Sequence, residues 1–140
     1  MAICGICQTD LPRPCSYTPR TKECYRALIV ALRHVAKRCG YALAVHGSLR
    51  SDIDLLAVPW RDSAVSAAYL AEEIRKTAEQ IIGTARSRTG DEQPTKKPCG
   101  RLAWSFYLQP EGLEGPYIDL SIAAMPAPPP NEREGADGPH

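Results

Sequence analysis

Residues 41–60, YALAVHGSLRSDIDLLAVPW, contain two short apolar runs on either side of a polar turn. The first run is followed by the pair Gly47–Ser48, and the second ends at Pro59. Apolar runs of about four to eight residues bounded by turn residues are typical of strands that are buried on both faces. The stretch therefore predicts two consecutive strands joined by the short connection GSLRS.

Amphipathic helices are predicted on both sides of this strand pair. Between residues 21 and 40 apolar side chains recur at helical spacing, with Thr21 as N-cap and Gly40 as the stop. Residues 61–83 repeat the pattern, with Asp62 or Ser63 as the N-cap and a glycine at the end. The buried stripe predicted for this second helix consists of Ala67, Leu70, Ala71, Ile74, Ala78 and Ile81.

Two further strands are predicted at residues 101–110 and 116–125, on either side of the turn EGLEG, as an antiparallel hairpin. The resulting order is helix, two strands, helix, two strands. This order predicts an α/β or α+β domain, with one mixed sheet of about four strands and two main helices packed on it. We place the domain at residues 21–124.

The segments outside this pattern lack the apolar spacing of a packed element. Residues 1–20 contain three cysteines and three prolines and are predicted to be irregular. Residues 84–100 are polar, with Gly and Pro, and are expected to form a mobile loop. Residues 125–140 have few apolar groups to bury, so a disordered Pro-rich tail is predicted.

The composition argues against several classes of protein. The 17 basic and 16 acidic residues give a net charge of +1, which is not the footprint of a nucleic-acid or membrane-surface binder. No stretch approaches the roughly 18 consecutive apolar residues of a membrane span. The start MAICGICQTD lacks the basic lead and long apolar run of a secretory signal. We therefore expect a cytoplasmic protein whose six cysteines are reduced thiols.

One cysteine pair, Cys4 and Cys7, has the spacing of a zinc knuckle. A structural zinc site needs four thiolate or imidazole ligands, usually from two such pairs. Cys15 and Cys24 follow at wider spacings, and Cys24 also fits the buried stripe of the first helix. Zinc at Cys4 and Cys7 is thus an alternative, and reduced thiols are the favoured interpretation.

Three aspartates interrupt the apolar strands. Asp52 and Asp54 emerge on one side of their strand, roughly 6 to 7 Å apart. Two such carboxylates repel each other and are costly to desolvate unless a cation neutralises them. Asp119 repeats the pattern in the later strand YIDLSIA. Carboxylate oxygens suit Mg²⁺ or Mn²⁺, and three carboxylates at one sheet edge can hold two such ions roughly 4 Å apart.

These residues resemble the DNA polymerase beta nucleotidyltransferase superfamily, particularly its minimal bacterial and phage-type members. The likeness lies in HGS at the end of one strand, DIDLL opening the next and a lone aspartate in a later strand, over residues 21–124. It implies that Asp52, Asp54 and Asp119 are catalytic and bind two metal ions. It also implies that Gly47 and Ser48 hold the phosphates of a nucleotide.

The implied reaction transfers a nucleoside monophosphate from a nucleoside triphosphate to a hydroxyl group of an acceptor, with release of pyrophosphate. The acceptor stays open between a protein, an RNA such as tRNA, a small molecule and another nucleotide. In most members of the superfamily a longer segment separates the Gly-Ser pair from the first aspartate. Here only Leu49, Arg50 and Ser51 lie between them, and Arg50 is the predicted substitute ligand for phosphate.

Other interpretations of the same residues are open. Asp52 would cap a turn, and Asp54 would pair with Arg50 or Arg101.

The alternative function is a catalytically degenerate module that acts through a protein partner or a second copy of the chain. Five basic residues between positions 86 and 101 are expected in a solvated loop, the alternative being that they close over phosphates or an RNA strand. They are Arg86, Arg88, Lys96, Lys97 and Arg101.

Overall fold

The computed structural model of the chain describes residues 22–88, 90, 92–113 and 115–125, with the side chains of residues 22–24 left out. Several features predicted from the sequence lie outside these residues. They are the irregular segment 1–20, the Thr21 cap, the cysteine pair Cys4 and Cys7, and the tail from residue 126 onward.

The described chain forms two α-helices and a five-stranded mixed sheet, which confirms the α+β class. The strand count is five rather than about four, because a two-residue strand lies within the predicted loop 84–100. In chain order the elements are α1 (Lys22–Arg38), β1 (Tyr41–Val45), β2 (Ile53–Pro59), α2 (Ala67–Ile82), β3 (Thr95–Lys96), a short 3₁₀ helix (Pro98–Gly100), β4 (Leu102–Tyr107) and β5 (Tyr117–Ile122).

The sheet has the strand order β1-β2-β5-β4-β3. Strands β1 and β2 are the two consecutive strands predicted around GSLRS, and they pair antiparallel, with Val45 opposite Leu55. Strands β4 and β5 form the predicted antiparallel hairpin. Strand β5 also pairs with β2 in parallel, so that Asp54 lies directly opposite Asp119. The two strands that carry the predicted acidic residues are therefore neighbours at the centre of the sheet.

The two helices and one face of the sheet form the hydrophobic core. Strands alternate their side chains between faces, so every second residue of β2 and β5 points to the helices. Leu55 and Leu120 belong to this inner set and are completely buried, as are Leu32 of α1 and Ile74 of α2. The opposite face, which we call the polar face, carries partly exposed side chains that include Asp54, Asp119, Ser105, Tyr107 and Tyr117.

Helix α2 begins later than predicted. Its N-cap is Ser66, whose hydroxyl accepts a hydrogen bond from the Tyr69 N–H at 3.2 Å, so the predicted caps Asp62 and Ser63 are wrong. The segment before the helix is hydrogen-bonded to the residue after α1 instead of continuing the helix, because the Val65 N–H donates to the Cys39 carbonyl at 3.0 Å. The predicted buried stripe is confirmed at Leu70, Ala71, Ile74 and Ala78, whereas Ala67 and Ile81 are only partly buried and Ile82 is its last buried member.

Glycine ends this helix as the sequence predicts. Gly83 adopts a left-handed conformation with φ of 99° and donates its N–H to the Glu79 carbonyl. Most L-residues avoid this conformation, and glycine adopts it without a steric penalty. No helix in the part of the chain described by the structure has the length and apolar character needed to cross a membrane.

Candidate active site

The parallel register of β2 and β5 brings two acidic side chains together. Asp54 and Asp119 are directly opposite each other on strands that lie about 4.8 Å apart, and both are half-buried on the polar face. Asp52 lies two residues before Asp54, just outside the start of β2, and is also half-buried. We call these three aspartates the acidic site.

The negative charges of the acidic site affect the pKa of Asp119. Burial raises the pKa of the Asp119 carboxyl, and the negative charges of Asp54 and then Asp52 raise it further. Lys97 and His46 lower the same pKa, and neither positive group outweighs burial and the acidic neighbours. The structure thus holds three carboxylates close enough to disfavour the ionised form of Asp119.

Tyr117 belongs to the same electrostatic environment. Its pKa is raised chiefly by the charge of Asp52, then by burial and by Asp119 and Asp54. The residue is two positions before Asp119 on β5, so both side chains project from the polar face. Sequence reasoning missed Tyr117 as part of the site, although the alternation of side chains along YIDLSI is the signal that finds it.

The Gly-Ser turn lies against the acidic site. Gly47 has a φ of +94°, and a Cβ atom on it would lie 2.6 Å from the Asp54 Oδ2. The His46 N–H donates to the Asp54 carbonyl at 3.0 Å, and the Tyr25 hydroxyl donates to the Ser51 carbonyl at 3.1 Å. Only glycine therefore lets the backbone approach the Asp54 carboxylate this closely.

The other predicted phosphate ligands lie in the same connection between β1 and β2. Ser48 and Arg50 are both exposed, and Leu49 between them has a positive φ of 55°. Arg101, a predicted partner of Asp54, instead donates hydrogen bonds to the Ser121 hydroxyl and the Pro98 carbonyl. Within the described residues the ion pairs lie on α2, for example between Arg75 and Glu72.

The donor chemistry of the acidic site fits a hard divalent cation. Mg²⁺ is usually held by one or two carboxylates, with waters and substrate phosphates as its remaining ligands. Asp54 and Asp119 supply such a pair on neighbouring strands. Across residues 22–88, 90, 92–113 and 115–125, no group of three or more His, Cys, Asp or Glu side chains is arranged to hold a metal ion by itself.

Replacement of Asp119 by Asn is expected to stabilise the metal-free protein. The pKa of the Asp119 carboxyl is higher in the folded than in the unfolded chain. Its contribution to stability is therefore fully present at a pH below the unfolded-state pKa, and it is lost as the pH rises through the folded-state pKa. At neutral pH the ionised side chain lies opposite Asp54, and removing such a like-charge pair is worth roughly 0.2–1 kcal/mol. Urea unfolding in EDTA at pH 7 measures this gain.

The gain from Asp119→Asn should shrink as the pH falls towards 3.8, the ordinary pKa of the group. Asp62→Asn is the matched control, because Asp62 is exposed between β2 and α2 and its replacement should change the stability by less than about 0.5 kcal/mol. A loss of stability for Asp119→Asn in EDTA at pH 7 would show that ionised Asp119 has a favourable partner within the fold.

A small polar cavity adjoins the acidic site on the polar face. It has a volume of about 150 Å³, and its lining includes Lys97, Thr95, Ser105, Tyr107 and Asp119. Lys97 is exposed, as expected of a solvated loop, and it also lines this cavity because it directly follows the short strand β3, which pairs with β4. The sequence contained no signal for this placement, since a two-residue polar strand has no hydrophobic alternation.

No protein-family model and no curated protein matches this chain. The features available for a functional assignment are therefore the opposed carboxylates, the glycine that lies against one of them and the polar cavity beside the other.

Proposed function

We propose that the chain is a metal-dependent nucleotidyltransferase that transfers a nucleoside monophosphate from a nucleoside triphosphate to a hydroxyl group of an acceptor. The observation that carries the proposal is the position of Asp54 directly opposite Asp119. Like charges opposite each other on neighbouring strands destabilise a sheet, so a structural role does not account for this pair. A divalent cation that binds both carboxylates, together with phosphate oxygens, does.

The residues of the acidic site have distinct roles in this proposal. Asp52 and Asp54 would hold two Mg²⁺ or Mn²⁺ ions, and Asp119 would complete one of the two metal sites. Bound ions of this kind neutralise phosphate oxygens and stabilise the charge that develops during phosphoryl transfer. Asp119 would also accept the proton of the acceptor hydroxyl, because its carboxylate lies on the polar face directly opposite Asp54, beside the proposed metal ions.

The proposed transfer forms one bond to phosphorus and breaks another. The acceptor oxygen forms a bond to the α-phosphorus of the triphosphate, and the bond from that phosphorus to the bridging oxygen of the β-phosphate breaks. Pyrophosphate leaves, and the acceptor proton passes to Asp119. Gly47 and Ser48 would present their N–H groups and the serine hydroxyl to the triphosphate, and the guanidinium of Arg50 would bind it as a charged donor.

A direct assay tests the proposal. The protein is incubated with nucleoside triphosphates and with Mg²⁺ or Mn²⁺, and pyrophosphate release and transfer of an α-phosphate label are followed, with EDTA as the control. Calorimetry with Mn²⁺ and a non-hydrolysable triphosphate measures binding independently of any acceptor. Absence of both metal and nucleotide binding would remove this function.

Replacement of Gly47 by Ala is expected to reduce metal-dependent nucleotide binding by about 10-fold or more. The new methyl group meets the Asp54 carboxylate at 2.6 Å, so the carboxylate has to move. The left-handed backbone adds strain of roughly 1–2 kcal/mol. Gly90→Ala is the matched control, because Gly90 has a φ of +92° and its Cβ would meet nothing within 4 Å. Equal effects of the two substitutions on binding would show that proximity to Asp54 is irrelevant.

A second function is favoured by the short connection between β1 and β2. Residues 46–52 form bends without a helix, so this segment offers no helix N-terminus to a triphosphate. In this alternative the chain is a catalytically degenerate module that binds a protein partner or a second copy. Partner capture or dimerisation that survives combined replacement of Asp52, Asp54 and Asp119 by Asn, in a protein without metal-dependent nucleotide binding, would favour it.

We also propose that the protein acts in the cytoplasm. The described cysteine side chains, Cys39 and Cys99, carry free thiols, and Cys99 is exposed. Exposed thiols persist where the compartment is reducing. Fractionation of the cells that produce the protein, with thiol labelling before lysis, tests this location.

A further inference from the structure

A second, larger cavity lies at the end of the sheet near the acidic site, and we call it the aromatic cavity. Its lining includes Arg86, Arg88, Tyr107, Glu111, Leu113 and Tyr117. Its volume of about 590 Å³ is in the range of small-molecule binding sites. Among its described lining residues two are basic and one is acidic, whereas the neighbouring acidic site contains only acidic groups.

Two guanidinium groups lie over one tyrosine ring in this cavity. The Cζ atoms of Arg86 and Arg88 are 5.8 Å and 5.0 Å from the centre of the Tyr107 ring. The ring of Tyr117 lies 5.4 Å from the same centre, tilted by 35°. A guanidinium held over an aromatic ring keeps N–H groups that bind phosphate oxygens in pairs.

The backbone fixes one of these arginines in place. The Arg86 N–H donates to the Tyr107 carbonyl at 3.0 Å, and the Tyr107 N–H donates to the Arg86 carbonyl at 2.7 Å. The Arg86 Nε also donates to the Gln109 carbonyl at 3.0 Å. Arg88 is exposed beside it. The charge of Arg86 is therefore positioned by a bridge to β4, and Arg88 is the one that can be replaced with least structural effect.

The aromatic cavity and the acidic site share a border. Tyr117 lines the cavity and is two residues from Asp119 on the same face of β5, a distance of roughly 6 to 7 Å along the strand. Tyr107 lines both this cavity and the small polar cavity that contains Asp119. A ligand in the aromatic cavity can thus extend one end to the Asp119 carboxylate.

The Gly47–Ser48 turn lies on the other side of the acidic site. It connects β1 and β2, whereas the aromatic cavity is built on β4 and β5, and the sheet order places these pairs on opposite sides of the β2–β5 junction. Displacement at phosphorus is in line, so the attacking oxygen and the leaving group approach from opposite sides. If the triphosphate binds at the turn, the aromatic cavity therefore remains available to the acceptor.

We propose that the aromatic cavity binds the acceptor and that the acceptor is a nucleotide. Its phosphate would bind Arg86 and Arg88, its base would pack against Tyr107 and Tyr117, and its sugar hydroxyl would face Asp119. Two neighbouring aromatic rings beside guanidinium groups match a planar base joined to a phosphate, a combination that a peptide acceptor lacks. The assignment of an acceptor role rests on the proposed function, whereas nucleotide binding in the cavity does not.

Binding without metal tests the cavity separately from catalysis. The full chain is titrated in EDTA with the four nucleoside 5′-monophosphates and, as a separate arm, with a short single-stranded oligonucleotide that has a free 3′ hydroxyl. We expect binding that weakens about 10-fold or more in Arg88→Ala and with nucleosides that lack the phosphate. Arg38→Ala, at the far end of α1, is the matched control and should bind like the wild type.

The two arms distinguish the source of the nucleotide. Tighter binding of the oligonucleotide than of any monophosphate identifies a strand end, and equal binding identifies a free nucleotide. Either result supports the cavity if Arg88→Ala weakens it. No binding in either arm, or equal binding by Arg88→Ala and the wild type, overturns the proposal.

A competition experiment separates the acceptor from the donor. With Mn²⁺ present, a non-hydrolysable triphosphate should bind together with the monophosphate without displacing it. Displacement would assign the aromatic cavity to the triphosphate and end the acceptor proposal. Monophosphate binding that depends on Arg88 in a protein that binds neither Mn²⁺ nor triphosphate would remove the proposed enzymatic function and leave the nucleotide site.

Discussion

Asp54→Asn is expected to lower the rate of nucleotidyl transfer by roughly 1,000-fold while the protein stays folded. Asp54 lies at the centre of the acidic site, opposite Asp119 and next to Gly47. In the proposed mechanism it binds both metal ions. Charge stabilisation by a bound metal is worth several kcal/mol in the transition state, and about 1.4 kcal/mol corresponds to a factor of ten in rate. Initial rates of pyrophosphate release at saturating Mn²⁺ give the measurement.

The metal dependence of stability provides a second measurement on the same variant. A ligand that binds only the folded state raises the free energy of unfolding in proportion to the logarithm of its concentration. Mn²⁺ should therefore raise the Tm of the wild type and leave that of Asp54→Asn nearly unchanged. Asp62→Asn serves as the control, with activity and metal response expected to equal those of the wild type. Wild-type activity in Asp54→Asn would exclude the acidic site as the catalytic centre.

Leu120→Ala is expected to reduce the free energy of unfolding by about 2–5 kcal/mol. Leu120 is completely buried in β5, with Leu55 opposite it on β2 and Trp104 opposite it on β4. Small domains are stable by roughly 5–15 kcal/mol, so this loss is a large share of the total. Urea unfolding followed by circular dichroism measures it.

Leu120→Ala should also reduce the proposed activity, because it destabilises the strands that position the acidic site. Leu120 follows Asp119 directly, and the β2–β5 pair that it helps to hold sets the register of Asp54 and Asp119. Val58→Ala is the control, because Val58 is on β2 but 42% exposed, and its truncation should cost less than about 0.5 kcal/mol. If the two truncations had similar effects, the inner face of the sheet would not be the core described above.

Much of the fold was predictable because its signals are local. The buried stripe of α2 at Leu70, Ala71, Ile74 and Ala78 follows from a period of 3.6 residues, which depends on neighbours within one or two turns. Gly83 ended the helix as predicted, since the left-handed conformation is a property of a single residue. Ser66 was missed as the cap because Asp62 and Ser63 offer the same chemistry a few residues earlier.

The acidic residues of the candidate site were predictable from the sequence, whereas the residues that surround them were not. The charges of Asp52, Asp54 and Asp119 within apolar strands were evident from the sequence alone. The sequence also left Arg86 and Arg88 as basic residues of a solvated loop. Their position over the Tyr107 ring depends on the bridge between residue 86 and residue 107, for which no local pattern exists.

The sequence by itself determined the two helices, the four longer strands and the identity of the acidic residues, because hydrophobic period and turn chemistry are set by near neighbours. Only the tertiary structure decided that β5 pairs in parallel with β2, that Asp119 therefore faces Asp54, and that Tyr107 and Tyr117 form a cavity beside them. The physical reason is that strand order and register depend on how distant segments share one core. A shift of one residue in register turns every side chain of a strand to the other face.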